Sequence, residues 1–450
     1  MLRILTNLVS GSHRLTYNYE MLVNSNNVAQ TLKLSINADF VLLLFVLVMS
    51  VLGGPAFAID YFEITKPKFI PVKVGLIGGR DTEVVAVKKI FRENLEKVLY
   101  FQIIDGTREE FAQSEEVFFQ LEIILKKKLD QLEFNLWTKG EDLPVTQNSL
   151  PLKGGVDNFR NIGLFLTDWF VLKTLNFKGV TASKIAYTAQ KINRRKNIML
   201  SSYDGTVQKR FSYNLGSNNL ASWSFDNKNI LYTTFTRSSV QLTIQPSIRL
   251  RAKILSFPSV FQPLGASWRM DGESILLTLM KKGNSDIYSY NLADAKLEKI
   301  FAWKSLETSP QMSPDGKKIA FVSDSARLNR PQIYVHNILT HKTERVTFRG
   351  NYNSSPKWSP DGSQLIYERQ VKGVFQLFKY TLLTRRHVQL TFGRYDSEKP
   401  DWSPNGKQIV FSAKKEKVSK LYYISAFGGR SIRVTTNANN ITETNPVWSK

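Results

Sequence analysis

Short runs of alternating apolar and polar residues fill the C-terminal three-fifths of the chain at a nearly constant spacing. Each copy begins at a large apolar residue, passes through a turn such as Ser-Pro-Asp-Gly, and usually continues into Ile-x-Phe or Ile-x-Tyr. Copies start at Trp223, Trp268, Met312, Trp358 and Trp402, at intervals of 45, 44, 46 and 44 residues. Alternation on both sides of an Asp-Gly or Asn-Gly pair predicts a β-hairpin. Two further apolar runs follow in each interval, so each repeat predicts four strands.

One repeat is divided between the two ends of this region. A further 46 residues lead from Trp402 to Trp448, whereas the matching second half, Ser-Lys-Ile-Ala-Tyr, stands at 183–187. An open solenoid has no reason to divide a repeat in this way, but a closed ring is sealed when its last strand completes the first sheet. The pattern therefore predicts an all-β six-bladed β-propeller over residues 180–450.

The preceding region carries helical and strand patterns in alternation. Apolar residues lie on one helical face within 81–100, at Val84, Val87, Phe91, Leu95 and Val98. Period-2 alternation at 119–125 and again at 132–136 predicts a hairpin, and a second helical face follows from Phe159 to Trp169. We therefore expect an α+β N-terminal domain over residues 59–179.

An apolar run of 13 residues at 40–52 is followed by Ala56-Phe57-Ala58. This pattern is typical of an export signal, so residues 1–58 are interpreted as a signal segment with cleavage after Ala58. An uncleaved anchor is the alternative, because 19 uncharged residues run from Phe40 to Ala58. In both cases we expect the propeller to be delivered across the membrane.

Charge restricts the class of partner. The chain has a formal net charge of +23 and no cysteine, which excludes disulfides and thiolate sites. After cleavage it would carry 58 Lys and Arg against 36 Asp and Glu, or +22. The excess is either a general basic character or a surface for an acidic protein or anionic envelope polymer. We expect no nucleic acid partner, because the chain is exported and its charge is dispersed.

No catalytic constellation is found in the sequence. The four histidines do not form a ligand or triad pattern, and no nucleophile elbow, zinc motif, phosphate loop or calcium loop is present. The repeated Asp226, Asp271, Asp315 and Asp361 are interpreted as turn residues, because Asn405 takes the same place. We therefore predict no catalytic residue, metal site or cofactor, and a protein that is not an enzyme.

The Trp-Ser-Pro-Asp-Gly repeats, with Lys-Ile-Ala-Tyr187 opening a six-bladed ring after a small α/β domain, resemble the TolB family over about residues 59–450. Peptidase propellers carry similar repeats, but the combination with the N-terminal domain is more specific. The resemblance implies a periplasmic, monomeric protein of the Tol-Pal system. Such a protein binds the peptidoglycan-associated lipoprotein Pal through one propeller mouth, and supports outer-membrane integrity and envelope constriction during division.

The resemblance also implies which residues surround that mouth. Carried over by position, Gln262 lies six residues before the inner-strand aromatic. The residues four positions before the corresponding aromatic or methionine are Thr308, Ser354, Glu398 and Thr444. Glu307, Tyr352 and Tyr395 are added because carboxylates and tyrosines suit a polar protein interface.

A second contact is implied for the mature N-terminal tail. Residues Ile59, Asp60, Tyr61, Phe62 and Glu63 are expected to meet a TolA-like inner-membrane protein. Two other function classes stay open at this point. One is a secreted propeller hydrolase or lactonase that uses the channel as its active site, and the other is a propeller that binds glycans.

Overall fold

The repeats fold as six four-stranded sheets, which follow a mixed sheet with helices. The computed structural model describes residues 16–25, 28–37, 71–152, 156–247, 251–301, 303–415 and 417–450. The apolar run 40–52, the cleavage site after Ala58 and the tail residues Ile59 to Glu63 lie outside these residues. Within them, the predicted class, an α+β domain followed by an all-β six-bladed β-propeller, is confirmed.

The most N-terminal described element is a hairpin of strands β1 (Thr16–Ser25) and β2 (Val28–Asn37). The two strands are antiparallel, with Thr16 opposite Asn37 and Ser25 opposite Val28. This stretch lies within the predicted signal segment, for which no strands are expected from the sequence.

The α+β domain contains a five-stranded sheet with the order β4-β3-β5-β6-β7. Its strands are β3 (Val72–Gly78), β4 (Phe101–Asp105), β5 (Val117–Lys126), β6 (Gln131–Thr138) and β7 (Thr146–Pro151). β3 is parallel to β4 and β5, and the remaining pairs are antiparallel. The helices are α1 (Thr82–Val98), α2 (Arg108–Ala112) and α3 (Val156–Leu175), with a 3₁₀ turn at Lys127–Leu129.

The predicted apolar face of α1 is the face that the domain buries. Val84, Val87 and Phe91 have no exposed surface, and they pack in one cluster with Ile162 and Leu166 of α3. Inward residues of the sheet complete the same cluster. Burial of a side chain of this size contributes roughly 1.5–3 kcal/mol, so this seam holds the two helices on the sheet.

Five blades are continuous in sequence, and each runs from its innermost to its outermost strand. The first contains β11 (Ser217–Trp223), β12 (Asn229–Phe235), β13 (Val240–Pro246) and β14 (Lys253–Leu255). The second contains β15 (Gln262–Trp268), β16 (Ser274–Lys281), β17 (Asn284–Asn291) and β18 (Leu297–Phe301). The third contains β19 (Glu307–Met312), β20 (Lys318–Ser323), β21 (Gln332–Asn337) and β22 (Thr343–Arg345).

The fourth and fifth blades follow the same plan. The fourth contains β23 (Asn353–Trp358), β24 (Gln364–Val371), β25 (Val374–Thr381) and β26 (Arg386–Gln389). The fifth contains β27 (Asp396–Trp402), β28 (Gln408–Lys415), β29 (Val418–Ser425) and β30 (Ser431–Arg433).

The closing blade joins the two ends of the propeller, as the split repeat predicts. Its outer strands are β8 (Lys184–Lys191), β9 (Asn197–Ser202) and β10 (Gln208–Arg210), and its innermost strand is β31 (Ile441–Trp448). β31 is antiparallel to β8, with Trp448 opposite Ile185. This pairing seals the ring.

The repeated tryptophans connect neighbouring blades. The indole Nε1 of Trp268 donates to the carbonyl of Ser222, that of Trp358 to Gln311, and that of Trp402 to Lys357, over 3.0–3.1 Å. Each acceptor lies in the innermost strand of the preceding blade. The tryptophan therefore packs in the core and also ties one blade to the next.

Candidate functional site

The two ends of the propeller channel carry different connections. Each blade is an antiparallel meander, so its connections alternate between the two ends of the channel. One end, here called the upper end, carries the turns between the second and third strands. It also carries the segments that lead to the innermost strand of the next blade. The turns between first and second, and third and fourth, strands share the lower end. The segments that lead into the innermost strands are 211–216, 256–261, 303–306, 346–352, 390–395 and 434–440.

The α+β domain packs against the lower end. The Tyr100 hydroxyl donates to the Lys407 carbonyl at 3.0 Å, and the Asn405 side-chain amide donates to the Lys178 carbonyl at 2.9 Å. Arg160 of α3 pairs with Asp204 in the turn between β9 and β10. Since Lys407, Asn405 and Asp204 are lower-end residues, the upper end faces away from this domain.

Several predicted binding residues are accessible at the upper end. Gln262 is exposed at the start of β15, and Tyr352 and Tyr395 keep 41% and 39% of their surface exposed. Thr308, Glu398 and Thr444 are half-buried in their innermost strands. The exposed and half-buried positions together surround the start of the channel.

Glu307 and Ser354 are buried, contrary to the expectation that they face the mouth. Glu307 is the first residue of β19 and has no exposed surface; its carboxylate accepts hydrogen bonds from Ser305 and Ser323. The register shift between Thr308 and Gln311 interrupts the alternation of this strand, so the count back from Met312 does not give the direction of the Glu307 side chain. Ser354 is 8% exposed because its hydroxyl donates to Glu368 at 2.6 Å.

A set of exposed apolar side chains on the upper segments is absent from the residues predicted from the sequence. They share one location, the connections that enter the innermost strands, and they are Tyr213, Leu215, Val260, Leu306, Phe348 and Phe392. With Tyr352 and Tyr395 they form what we call the apolar ring. The sequence signal is the recurrence of large apolar residues in the connections that enter successive innermost strands, because apolar side chains gathered on one surface mark an interaction site.

Local contacts orient the two tyrosines of the apolar ring. The Tyr352 ring meets Phe375 edge-on, with centroids 5.4 Å apart. The Arg394 guanidinium lies 5.6 Å from the centre of the Tyr395 ring. Burial raises the pKa of the nearby Glu398 carboxyl, and the carboxylates of Glu368 and Asp396 add to the effect.

Below the mouth, every innermost strand contains a register shift a few residues before its aromatic or methionine. In five blades the residue three positions before this aromatic or methionine has positive φ. This conformation changes the direction of the backbone beside the channel. These residues are Leu220, Ser309, Ser355, Lys399 and Asn445. They line an axial cavity of about 150 Å³ together with their neighbours in sequence.

Two lysines enter this cavity, and neighbouring groups compensate them. Lys399 forms an ion pair with Glu368 at 3.1 Å, and Lys357 donates to the Gln311 side chain at 3.3 Å. Burial lowers the pKa of Lys357, although Asp401 opposes that shift. For Glu368 the raising effect of burial is outweighed, chiefly by Lys399, so its pKa lies below the ordinary value.

The repeated aspartates form the turns that the sequence predicts. Asp226, Asp315 and Asp361 each accept a bond of 2.5–2.6 Å from the serine two residues earlier, and Asn405 accepts the same bond from Ser403. Among the described residues no group of three or more His, Asp or Glu side chains is arranged to hold a metal. Nor does any helix in the described part of the chain combine the length and apolar character needed to cross a bilayer.

Comparison with known proteins places these features in a family. A family model described as TolB beta propeller domain matches residues 173–450. The Tol-Pal system protein TolB of Ruthia magnifica subsp. Calyptogena magnifica is 30% identical over 148 residues, which is 31% of this chain and 34% of that protein. The TolB homolog of Chlorobium luteolum is 29% identical over 180 residues, 40% of each chain.

The structural comparison agrees in fold. The crystal structure of TolB from Acinetobacter baumannii matches with a TM-score of 0.73 and 19% identity, covering 84% of this chain and 97% of that one. The sequence matches span well under half the length of the two curated relatives. The family match, by contrast, takes in the whole ring, so the chain belongs to the TolB family of β-propeller proteins.

Proposed function

We propose that this protein is a periplasmic, non-enzymatic component of a Tol-Pal system and that its upper end docks a Pal-like peptidoglycan-associated lipoprotein. The observation that carries the proposal is the apolar ring, whose eight exposed side chains lie on five of the six connections at the end away from the α+β domain. Exposed aromatic and aliphatic groups gathered on one end of a protein mark an interaction site, and aromatic residues are enriched in protein interfaces.

The proposed contact has anchors and a polar centre. Tyr352 and Tyr395 offer large, oriented surfaces of the kind that dominate binding energy. Gln262, Thr308, Glu398 and Thr444 supply hydrogen-bonding groups beside them, while Glu307 and Ser354 support the strands from within. Through this contact the protein would help maintain outer-membrane integrity and envelope constriction during division. The tail residues Ile59 to Glu63 would meet a TolA-like inner-membrane protein.

The test compares two double variants of the protein purified from the cell envelope. Y352A/Y395A removes two upper-end anchors, and L339A/L383A removes two exposed apolar residues from lower-end turns. The soluble domain of the Pal-like lipoprotein from the same organism is the probe, and affinity is measured by surface plasmon resonance.

We expect Y352A/Y395A to weaken binding at least 30-fold, since each anchor contributes roughly 1–2 kcal/mol, and L339A/L383A to change it less than twofold. Equal affinities of the two variants would place the contact elsewhere. No binding by the unaltered, folded protein would reject the proposed partner, and glycan binding and metal-dependent hydrolysis would then be assayed.

A further inference from the structure

Basic residues are frequent on the upper hairpins. We define the upper hairpins as the turns between the second and third strands of the six blades, together with the strand ends beside these turns. The cations there number thirteen: Lys191, Arg194, Arg195, Lys196, Arg237, Lys281, Lys282, Arg327, Arg330, Lys372, Lys414, Lys415 and Lys417. All six blades contribute at least one. Most of these side chains are exposed.

Carboxylates on these hairpins and at the starts of the neighbouring innermost strands are few, and apart from the half-buried Glu398 they are engaged in hydrogen bonds. Asp324 is 6% exposed and accepts hydrogen bonds from the backbone N–H groups of Leu306 and Asn329, at 3.0 and 3.1 Å. Asp396 is half-buried and accepts from the Phe375 N–H at 2.9 Å. Glu416 lies outside the described residues. Within the part of the chain that the structure describes, no salt bridge involves the thirteen cations.

The lower-end turns have a different balance. Carboxylates occur in most of them, at Asp204, Asp226, Asp271, Glu273, Asp294, Asp315 and Asp361. Some pair with cations of the same turns, as Asp226 does with Lys228 and Asp271 with Arg269. Exposed cations also occur in these turns, among them Lys296, Lys317, Lys342 and Arg430. The lower end therefore carries charges of both signs, whereas the upper hairpins carry cations with few carboxylates beside them.

We infer that the upper end is built for an acidic protein surface. The inference rests on the proposed function and adds the chemistry of the partner: the partner presents apolar residues to the apolar ring and carboxylates to the surrounding cations. Unpaired, exposed cations around an interface accelerate association and select partners of opposite charge, whereas the apolar anchors set the lifetime of the complex.

A protein surface fits this end better than an anionic bilayer. The channel mouth carries hydrogen-bonding groups at fixed positions, among them Gln262, Thr308 and Thr444. A folded partner can match such groups one by one, while a fluid headgroup layer offers mainly charge. The bilayer is nevertheless an alternative that the experiment must separate.

Two quadruple variants of the full protein test the inference at equal net charge. The upper variant is R194Q/R237Q/K282Q/K417Q, with one neutralised cation in each of four blades. The lower variant is K296Q/K317Q/K342Q/R430Q, whose four cations are exposed on lower-end turns. Association rates with the soluble Pal-like domain are measured over a salt series, and sedimentation with phosphatidylglycerol vesicles is measured in parallel.

We expect the upper variant to associate about tenfold more slowly at low salt and to show a shallower salt dependence, with the lower variant within twofold of the unaltered protein. If both variants associate like the unaltered protein, the acidic-surface inference is overturned while the proposed partner stands. If the upper variant loses only vesicle binding, the surface serves a membrane and the inference is equally overturned. If the folded, unaltered protein does not bind the domain, the proposed function itself fails.

Discussion

Arg160 and Asp204 form a bidentate ion pair between α3 and the closing blade. The Arg160 Nε lies 3.0 Å from Oδ2 of Asp204, and the Arg160 Nη2 lies 3.0 Å from Oδ1. Asp204 is only 4% exposed. Burial raises the pKa of its carboxyl, but hydrogen bonds from Arg160, Ser202 and Thr206 outweigh burial and hold the pKa below its ordinary value.

Removing the arginine should therefore weaken the contact between the two domains. In R160M a buried carboxylate loses its cation, and we expect the free energy of unfolding to fall by about 3 kcal/mol at pH 7 in urea titrations. Because the folded pKa of Asp204 is depressed, the contribution is full above about pH 4 and is lost as the pH falls through the folded pKa. The difference between R160M and the unaltered protein should shrink there; a constant difference down to pH 3 would contradict the assignment.

Trp448 offers a test of ring closure. Its side chain is fully buried, stacks on Tyr423 with centroids 4.9 Å apart, and donates from Nε1 to the Ser183 hydroxyl at 2.7 Å. We expect W448A to lower the free energy of unfolding by about 4 kcal/mol, since a large cavity opens in the closing blade. W448F, which keeps most of the packing but loses the hydrogen bond, should cost about 1–2 kcal/mol. If W448A and W448F lowered the free energy of unfolding equally, the packing of the Trp448 ring would not be its contribution to stability.

Lys420 holds the segment that leads into the closing strand. Its ammonium donates to the carbonyls of Asn437, Ala438 and Ile441 at 3.1, 2.7 and 2.8 Å, and it lies 3.9 Å from Glu443. K420M should free this segment, lower the free energy of unfolding by about 3 kcal/mol, and speed proteolytic cleavage within 436–441. K417M, at an exposed position of the same hairpin, is the control and should leave cleavage unchanged.

His387 should make stability depend on pH in a mildly acidic range. Burial lowers its pKa to about 3, and the nearby Arg369 adds to the effect. Its Nδ1 lies 2.8 Å from the Tyr367 hydroxyl. Below pH 6.5 the unfolded chain binds a proton that the folded chain does not, so the free energy of unfolding should fall by up to about 1.4 kcal/mol per pH unit between pH 6.5 and 3.

The H387F variant isolates that contribution. Its unfolding free energy should lose this slope below pH 6.5 and run parallel to that of the unaltered protein between pH 7 and 8, where the imidazole is neutral in both states. Parallel curves over the whole range would show that His387 titrates alike in the folded and unfolded chain.

The ring could be predicted from the sequence because its determinants are local and repeated. The spacing of the tryptophans and the Asp-Gly turns specifies hairpins, and the half repeat before Tyr187 specifies closure. The hairpin β1–β2 was not predicted, because residues 1–58 were interpreted only as a signal segment. The bonds from Trp268, Trp358 and Trp402 to the preceding blade require knowledge of which strands become neighbours.

The candidate site was less predictable for a related reason. A count from the inner-strand aromatic or methionine selects Thr308 and Glu398, which are half-buried, but also Ser354, which is buried. Glu307 was chosen because a carboxylate suits a polar interface, and residue chemistry does not show that this side chain is buried. The apolar ring and the upper-hairpin cations come from segments far apart in sequence. Successive connections of a blade lie at opposite ends of the propeller. Only this arrangement shows that the apolar ring and the upper-hairpin cations lie at the same end.

The pairing of β31 with β8 means that the ring can close only after residues 441–448 are available. Ile185 and Trp448 are opposite each other in one sheet, yet more than half of the chain is translated between them. Until residues 441–448 pair with it, β8 has an open edge that invites pairing with other chains. A product that lacks residues 441–448 leaves the ring unsealed and is therefore expected to be degraded faster than a chain that contains them.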